Sequence, residues 1–170
     1  MPNTPALDPA YPTFVGYIDR TRNYYEAHGY DAPYRYAFHT DVPFTPLPKP
    51  LAQCRLGLVT TAMPLDSETN DSALRPKRVY AASVDPPPER LYADDLAWHK
   101  EATNLDDTET YLPIGSLQAW RDAGRFAELS PRFYGLPTEY SQRSTRETDA
   151  PALLKSFQED RVDVALLVPI

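Results

Sequence analysis

Val162-Asp163-Val164-Ala165-Leu166-Leu167-Val168-Pro169-Ile170 is the stretch whose reading decides the fold class. The run is β-branched and apolar, and it follows a helical stretch closely, as the second half of an αβ unit does; it reads as a buried parallel strand. The helix before it is expected from about Asp149 to Asp160. Thr148 can cap it, Pro151 sits in the tolerated first turn, and Ala150, Leu153, Leu154 and Phe157 form one apolar face. In open α/β sheets ligands collect past the carboxyl ends of the strands, so the principal chemistry is expected just after Ile170, and residues 51–170 are expected to be an α/β domain truncated at its C-terminus.

Working back along the chain, Arg55-Leu56-Gly57-Leu58-Val59-Thr60-Thr61-Ala62 reads as the first, central strand. Val79 to Val84 reads as a weaker one, terminated by Pro86-Pro87-Pro88. Ser116 can cap a short helix over Leu117 to Ala123, with Gly124 closing it. Asp66 to Lys77 reads as a polar loop. Together these predict an α/β fold: an open, mostly parallel sheet flanked by helices, Rossmann-like or flavodoxin-like.

The N-terminal part reads differently. Residues 1–13 form a loose tail. Residues 14–50 hold a Tyr/Pro-rich helix and extended arm: an amphipathic helix from Phe14 to His28 with Gly29 as its C′ residue, then Tyr30, Tyr34, Tyr36, Phe38 and the prolines between Pro43 and Pro50. Such an arm either packs its rings on its own domain or offers them to a partner.

With 170 residues and 42% apolar content the chain can build one ordinary core. A formal charge of −7 opposes unassisted binding to nucleic acid or to an anionic membrane. No apolar run approaches the roughly 20 residues of a membrane span, and Met1 to Ala10 lacks the basic and apolar regions of a leader, so a cytoplasmic protein is expected. The single Cys54 can form neither an internal disulfide nor a CxxC pair.

The chain has no glycine-rich phosphate loop and no GxSxG elbow. His28 and His39 read as structural. His99 stands with Asn104, Asp106 and Asp107 in a polar loop that can bind a cation, orient a small amino-acid-like ligand or, as a solvated acidic loop, cap the next element; no spacing here is diagnostic of a metal, and none is expected. Ser130 to Arg146 reads either as an ordinary solvated connection or as a loop serving a subunit interface or a carboxylate-bearing substrate; in the last case Arg132, Tyr134, Tyr140 and Arg143 are the candidate substrate-binding residues, because a guanidinium holds a carboxylate through two parallel hydrogen bonds.

Several of these segments recur in one order. Tyr17-Ile18-Asp19-Arg20-Thr21-Arg22-x-Tyr24-Tyr25, Pro43-Phe44-Thr45-Pro46-Leu47, Leu58-Val59-Thr60-Thr61-Ala62, Arg132-Phe133-Tyr134-Gly135-Leu136-Pro137, Tyr140-Ser141-Gln142-Arg143 and Asp149-Ala150-Pro151 together resemble the selenoprotein B family of glycine/sarcosine/betaine reductase and D-proline reductase. The resemblance implies an oxidoreductase subunit that cleaves a carbon–nitrogen bond of a small amino acid with electrons from dithiols. It implies a selenocysteine or cysteine just after a strand resembling Ala165 to Ile170, and a pyruvoyl group on a partner subunit. No catalytic residue or cofactor is therefore expected within the chain itself, and homo- or hetero-oligomeric assembly is. The family often has His where Asn104 stands, and an acid near the position of His99.

Overall fold

The structure, a computed structural model, describes residues 16–30, 37–42, 45–65, 78–93, 101–138 and 141–170. The chain divides into two compact units, Met1–Val42 and Pro43–Ile170.

In the first unit, helix α1 spans Tyr17–Ala27. It closes as expected: Gly29 takes φ +81°, a conformation that costs glycine nothing, and the Tyr30 N–H donates to Tyr25 O. Nδ1 of His28 lies 2.8 Å from Tyr24 O at the carbonyl end of the helix. Tyr24, Tyr30 and Phe38 are exposed, Phe38 to 85%.

The second unit is an α/β sheet of five strands: β1 (Arg55–Thr60), β2 (Tyr80–Ser83), β3 (Glu128–Leu129), β4 (Arg132–Gly135) and β5 (Val164–Val168). β1 is central. β5 pairs with it in parallel along Leu56 to Thr60, so β3 and β4, also parallel to β1, must share its other edge. Leu56 faces Leu129 and Val59 faces Tyr134: β1 advances three residues while its neighbour advances five. The surplus is the bulge at Ser130 and Pro131, where the proline's missing N–H falls at a break in the ladder. β2 closes that side antiparallel to β4.

The alternation of β1 sorts the two cores. Leu56 and Leu58 point to one face, where they join Phe133, Tyr111, Phe126 and the first turns of α2 (Ile114–Asp122). Val59 points to the other, with Tyr134, Leu153 and Phe157 of α4 (Ala150–Glu159). Gly57 lies on that second face, and a Cβ there would stand 3.0 Å from Val162 and 3.4 Å from the Tyr134 ring. A side chain at this position would require Val162 and the Tyr134 ring to give way by a few tenths of an ångström.

Three expectations are corrected. Ser130–Arg146 is not a continuous loop: it contains β4, and its end begins a helix. That helix starts earlier than Asp149, with α3 (Gln142–Ser144), a π turn over Thr145–Asp149, and then α4. Ser141, not Thr148, caps it, accepting from Ser144 N–H. The π turn has a cause in Pro151, which lacks an N–H for the carbonyl four residues back and whose ring crowds it; Ala150 N–H instead reaches Thr145 O, five residues back. β5, finally, is parallel but not buried. It is an edge strand, with Leu167 62% exposed and Leu166 and, on α4, Leu154 also open. Among the described residues no helix is long and apolar enough to cross a membrane.

Candidate functional site

Because β1, β4 and β5 run the same way, the two ends of the sheet differ chemically. At the carboxyl edge, Thr61 Oγ1 accepts from Ile170 N–H (3.0 Å) and donates to Ile170 O (3.2 Å), tying the exits of β1 and β5 together. Leu136 N–H donates to Thr60 O (2.9 Å), which ties in the exit of β4. The Tyr80 ring lies over Gly135, and its hydroxyl donates to Ala62 O at 2.6 Å. Desolvation, with a smaller contribution from Tyr111, pushes the Tyr80 phenol well above its ordinary range, so it acts as a neutral donor. This edge offers hydroxyls and main chain around an apolar floor.

The amino edge carries the charge. Arg132, at the head of β4, donates through Nε to Asp160 Oδ2 (2.7 Å) and through a terminal nitrogen to Glu159 (3.3 Å). The same Asp160 oxygen accepts from the Tyr134 hydroxyl at 2.5 Å, and that hydroxyl lies 2.9 Å from Ser130 Oγ. Burial, and then the bond to the carboxylate, push the Tyr134 phenol up to about 12. Desolvation works to raise the Asp160 carboxyl, but the Arg132 and Tyr134 bonds outweigh it and hold the group below the ordinary carboxylate range. Arg55, at the head of β1, pairs with Glu128 and donates to Asp160 O (2.7 Å). Its backbone N–H donates to Asp163 Oδ2 (2.8 Å), which Lys49 also pairs at 2.7 Å. Lys49, Gln53, Arg55, Glu128, Arg161 and Asp163 border an open cleft of about 380 Å³ here.

The residues singled out from sequence do not converge. Arg132 and Tyr134 belong to the amino-edge network, and Tyr134 is fully buried. Arg143 is exposed in α3, at the opposite end of the long helix from Glu159; sixteen residues at helical rise put roughly 24 Å between those ends. Tyr140 and His99 lie outside the described residues. Asp107 Oδ1 accepts from Glu109 N–H (3.0 Å) and caps the 3₁₀ turn Thr108–Thr110, while Asn104 Oδ1 accepts from Asp106 N–H (3.1 Å) in the segment just before it. Among the described residues no group of three or more His, Cys, Asp or Glu is arranged to hold a metal ion.

Sequence reading passed over Arg55, Glu128, Asp160 and Arg161. Their signal was present in part: Arg55 and Glu128 head strands and Asp160 ends α4, places where charges from neighbouring elements meet, whereas nothing in the sequence marked Arg161. Cys54 is buried at this same edge, its thiol 3.5 Å from the carbonyls of Lys49 and Pro50. Comparison with family models, curated proteins and solved structures finds no match to this chain.

Proposed function

We propose that this chain is the α/β part of a reductase subunit of the selenoprotein B type, acting in the dithiol-driven cleavage of a carbon–nitrogen bond in a small amino acid. One observation carries the reading. The motifs Leu58–Ala62 and Arg132–Pro137, and the strand resembling the one that precedes the family's redox residue, are three parallel neighbours whose carboxyl ends lie along one edge. In open α/β sheets that edge is where ligands bind. In this reading the reactive selenol or thiol stands past the exit of β5, beside Thr61, while a partner subunit contributes the pyruvoyl group. A selenolate or thiolate is the competent nucleophile. The dithiol, oxidised to a disulfide, supplies two electrons and two protons: the carbon–nitrogen bond breaks, a C–H bond forms at the substrate carbon with one proton, and the amine leaves with the other. Buried Cys54, at the opposite edge, has no part in this.

The coding DNA tests the proposal. An in-frame TGA after the Ile170 codon, followed by an open frame, supports it, as does dithiol-dependent amine release by the extended protein with its partner subunit. An ordinary stop followed by noncoding sequence, or an extended protein that consumes none of glycine, sarcosine, betaine and D-proline, overturns it.

A second reading, an interaction module that clasps a partner or a second copy, is favoured by the exposure of Tyr24, Tyr30, Phe38 and Val42 in the first unit. It requires that Phe38→Ser and Val42→Ser together lower the sedimentation coefficient of the native assembly. An unchanged coefficient removes it.

A further inference from the structure

Arg161 occupies a place where its backbone favours glycine. It is the C′ residue of α4, with φ +55°, and the helix closes around it in a Schellman pattern: Arg161 N–H donates to Gln158 O (3.2 Å) and Val162 N–H to Phe157 O (2.9 Å). The other glycines at helix ends, Gly29 and Gly124, adopt this left-handed conformation without cost, whereas a side chain there is crowded against its own carbonyl. Arg161 is one of the residues lining the amino-edge cleft. The cleft's other charges are matched: Glu128 pairs with Arg55, and Asp163 with Lys49 and the Arg55 N–H. Among the described residues the guanidinium of Arg161 has no ion-pair or hydrogen-bond partner.

We propose that the cleft bordered by Gln53, Arg55 and Arg161 binds a small monocarboxylate, with Arg161 as its recognition residue. Three cations against two carboxylates leave one uncompensated positive charge, which fits a single negative charge. Glu128 and Asp163 on the same wall repel a dianion. A planar carboxylate can accept two parallel bonds from one guanidinium, and Gln53 can supply a neutral amide donor beside it. The site lies at the amino edge, roughly a strand's length of 17 Å from the carboxyl edge where the reductase chemistry is proposed. It is therefore a separate site, and its existence does not depend on that reading.

The proposal makes Arg161 a residue kept for its side chain against its backbone, and this separates it from a merely structural arginine. In the full chain at constant ionic strength, sodium acetate should produce saturable shifts in the backbone amide resonances of 161–163, and sodium chloride should not. Arg161→Gly should weaken acetate binding at least tenfold while raising Tm by about 2–4 °C, since the left-handed conformation is relieved. Arg161→Asn, which tolerates that conformation but is neutral, should also lose binding, and Arg161→Lys should retain part of it. Equal responses to acetate and chloride, tighter binding of phosphate than of acetate, or unaltered acetate binding in Arg161→Gly would overturn the site. A lower Tm in Arg161→Gly would overturn the claim that the side chain is held at a cost to stability.

Discussion

The Tyr134 ring packs edge-on against Phe157, with centroids 4.9 Å apart, while its hydroxyl reaches Asp160 and Ser130. Apolar packing and a polar bridge thus depend on one side chain. Tyr134→Phe keeps the ring and deletes the bridge, leaving Ser130, fully buried, without that partner. The expected loss is about 1–3 kcal/mol at neutral pH, read from urea unfolding at constant m-value; a loss within error would mean the hydroxyl contributes nothing net. Gly135 makes a different demand. A Cβ there would fall on the Tyr80 ring, which is held by the bond from its hydroxyl to Ala62 O and by its packing on Phe133. Gly135→Ala should therefore destabilise by about 1–3 kcal/mol, an overpacking cost, and Tyr80→Ala in the same chain should relieve the clash. If the double variant is no better than the sum of the singles, the Tyr80 contact is not the cause.

At the scale of elements, long apolar periodicity was legible and short or bent pieces were not. Arg55–Thr60 and Val164–Val168 emerge almost where the sequence puts them, because each is an aliphatic, β-branched run of strand length. β4 escaped notice: four residues flanked by Pro131 and Pro137 and ending in glycine look like a turn, and only pairing with β1 and β2 makes Phe133 and Tyr134 a strand. The exposure of β5 also could not be read from composition, since burial of a strand depends on what covers it. For the candidate site, Arg132 and Tyr134 were found by residue type, but their role was not, because their partners Glu159 and Asp160 lie far along the chain. Capping of α2 shows the same blindness. Ser116 has the right chemistry for a cap, yet it lies inside the helix, and Glu109 accepts from Gly115 N–H (2.7 Å) and Ser116 N–H (2.9 Å) instead. Desolvation pushes the Glu109 carboxyl up, but the bonds from Ser116 and Gly115 prevail and lower it. Glu109→Gln keeps the shape and removes the charge at the positive end of α2. It should cost roughly 0.5–1 kcal/mol at pH 7, discounted for the exposure of the carboxylate, and nothing once the pH has fallen through the depressed range of the wild-type carboxyl, which is then protonated too. Equal destabilisation above and below that range would exclude the charge as the cause.

Over the whole molecule the perturbed groups act in concert on the pH dependence of stability. Glu109, Asp160 and Asp163 are held below the ordinary carboxylate range, so their contributions are complete above about pH 4.5 and are lost as pH falls through the depressed values. Tyr134 and Tyr80 are pushed the other way. Their contributions are complete below the ordinary phenol value of 10.0 and are lost as pH rises, for Tyr134 through about 12. Stability should therefore form a plateau from about pH 5 to 9.5 with a fall on each side. Net charge alone forecasts a different curve for a chain carrying −7: approaching its pI near 4.9 relieves self-repulsion, which favours the compact state. Between pH 6 and 5 only the net-charge effect changes, while the specific carboxylates are still complete, so the two can be told apart there and below. Urea midpoints of dilute protein across pH 3 to 11 should stay level to about pH 5 and drop below 4.5, and Glu109→Gln with Asp160→Asn should start lower and drop less. A wild-type midpoint that keeps rising down to pH 4 would show that the network at the amino edge is too solvent-screened to govern stability.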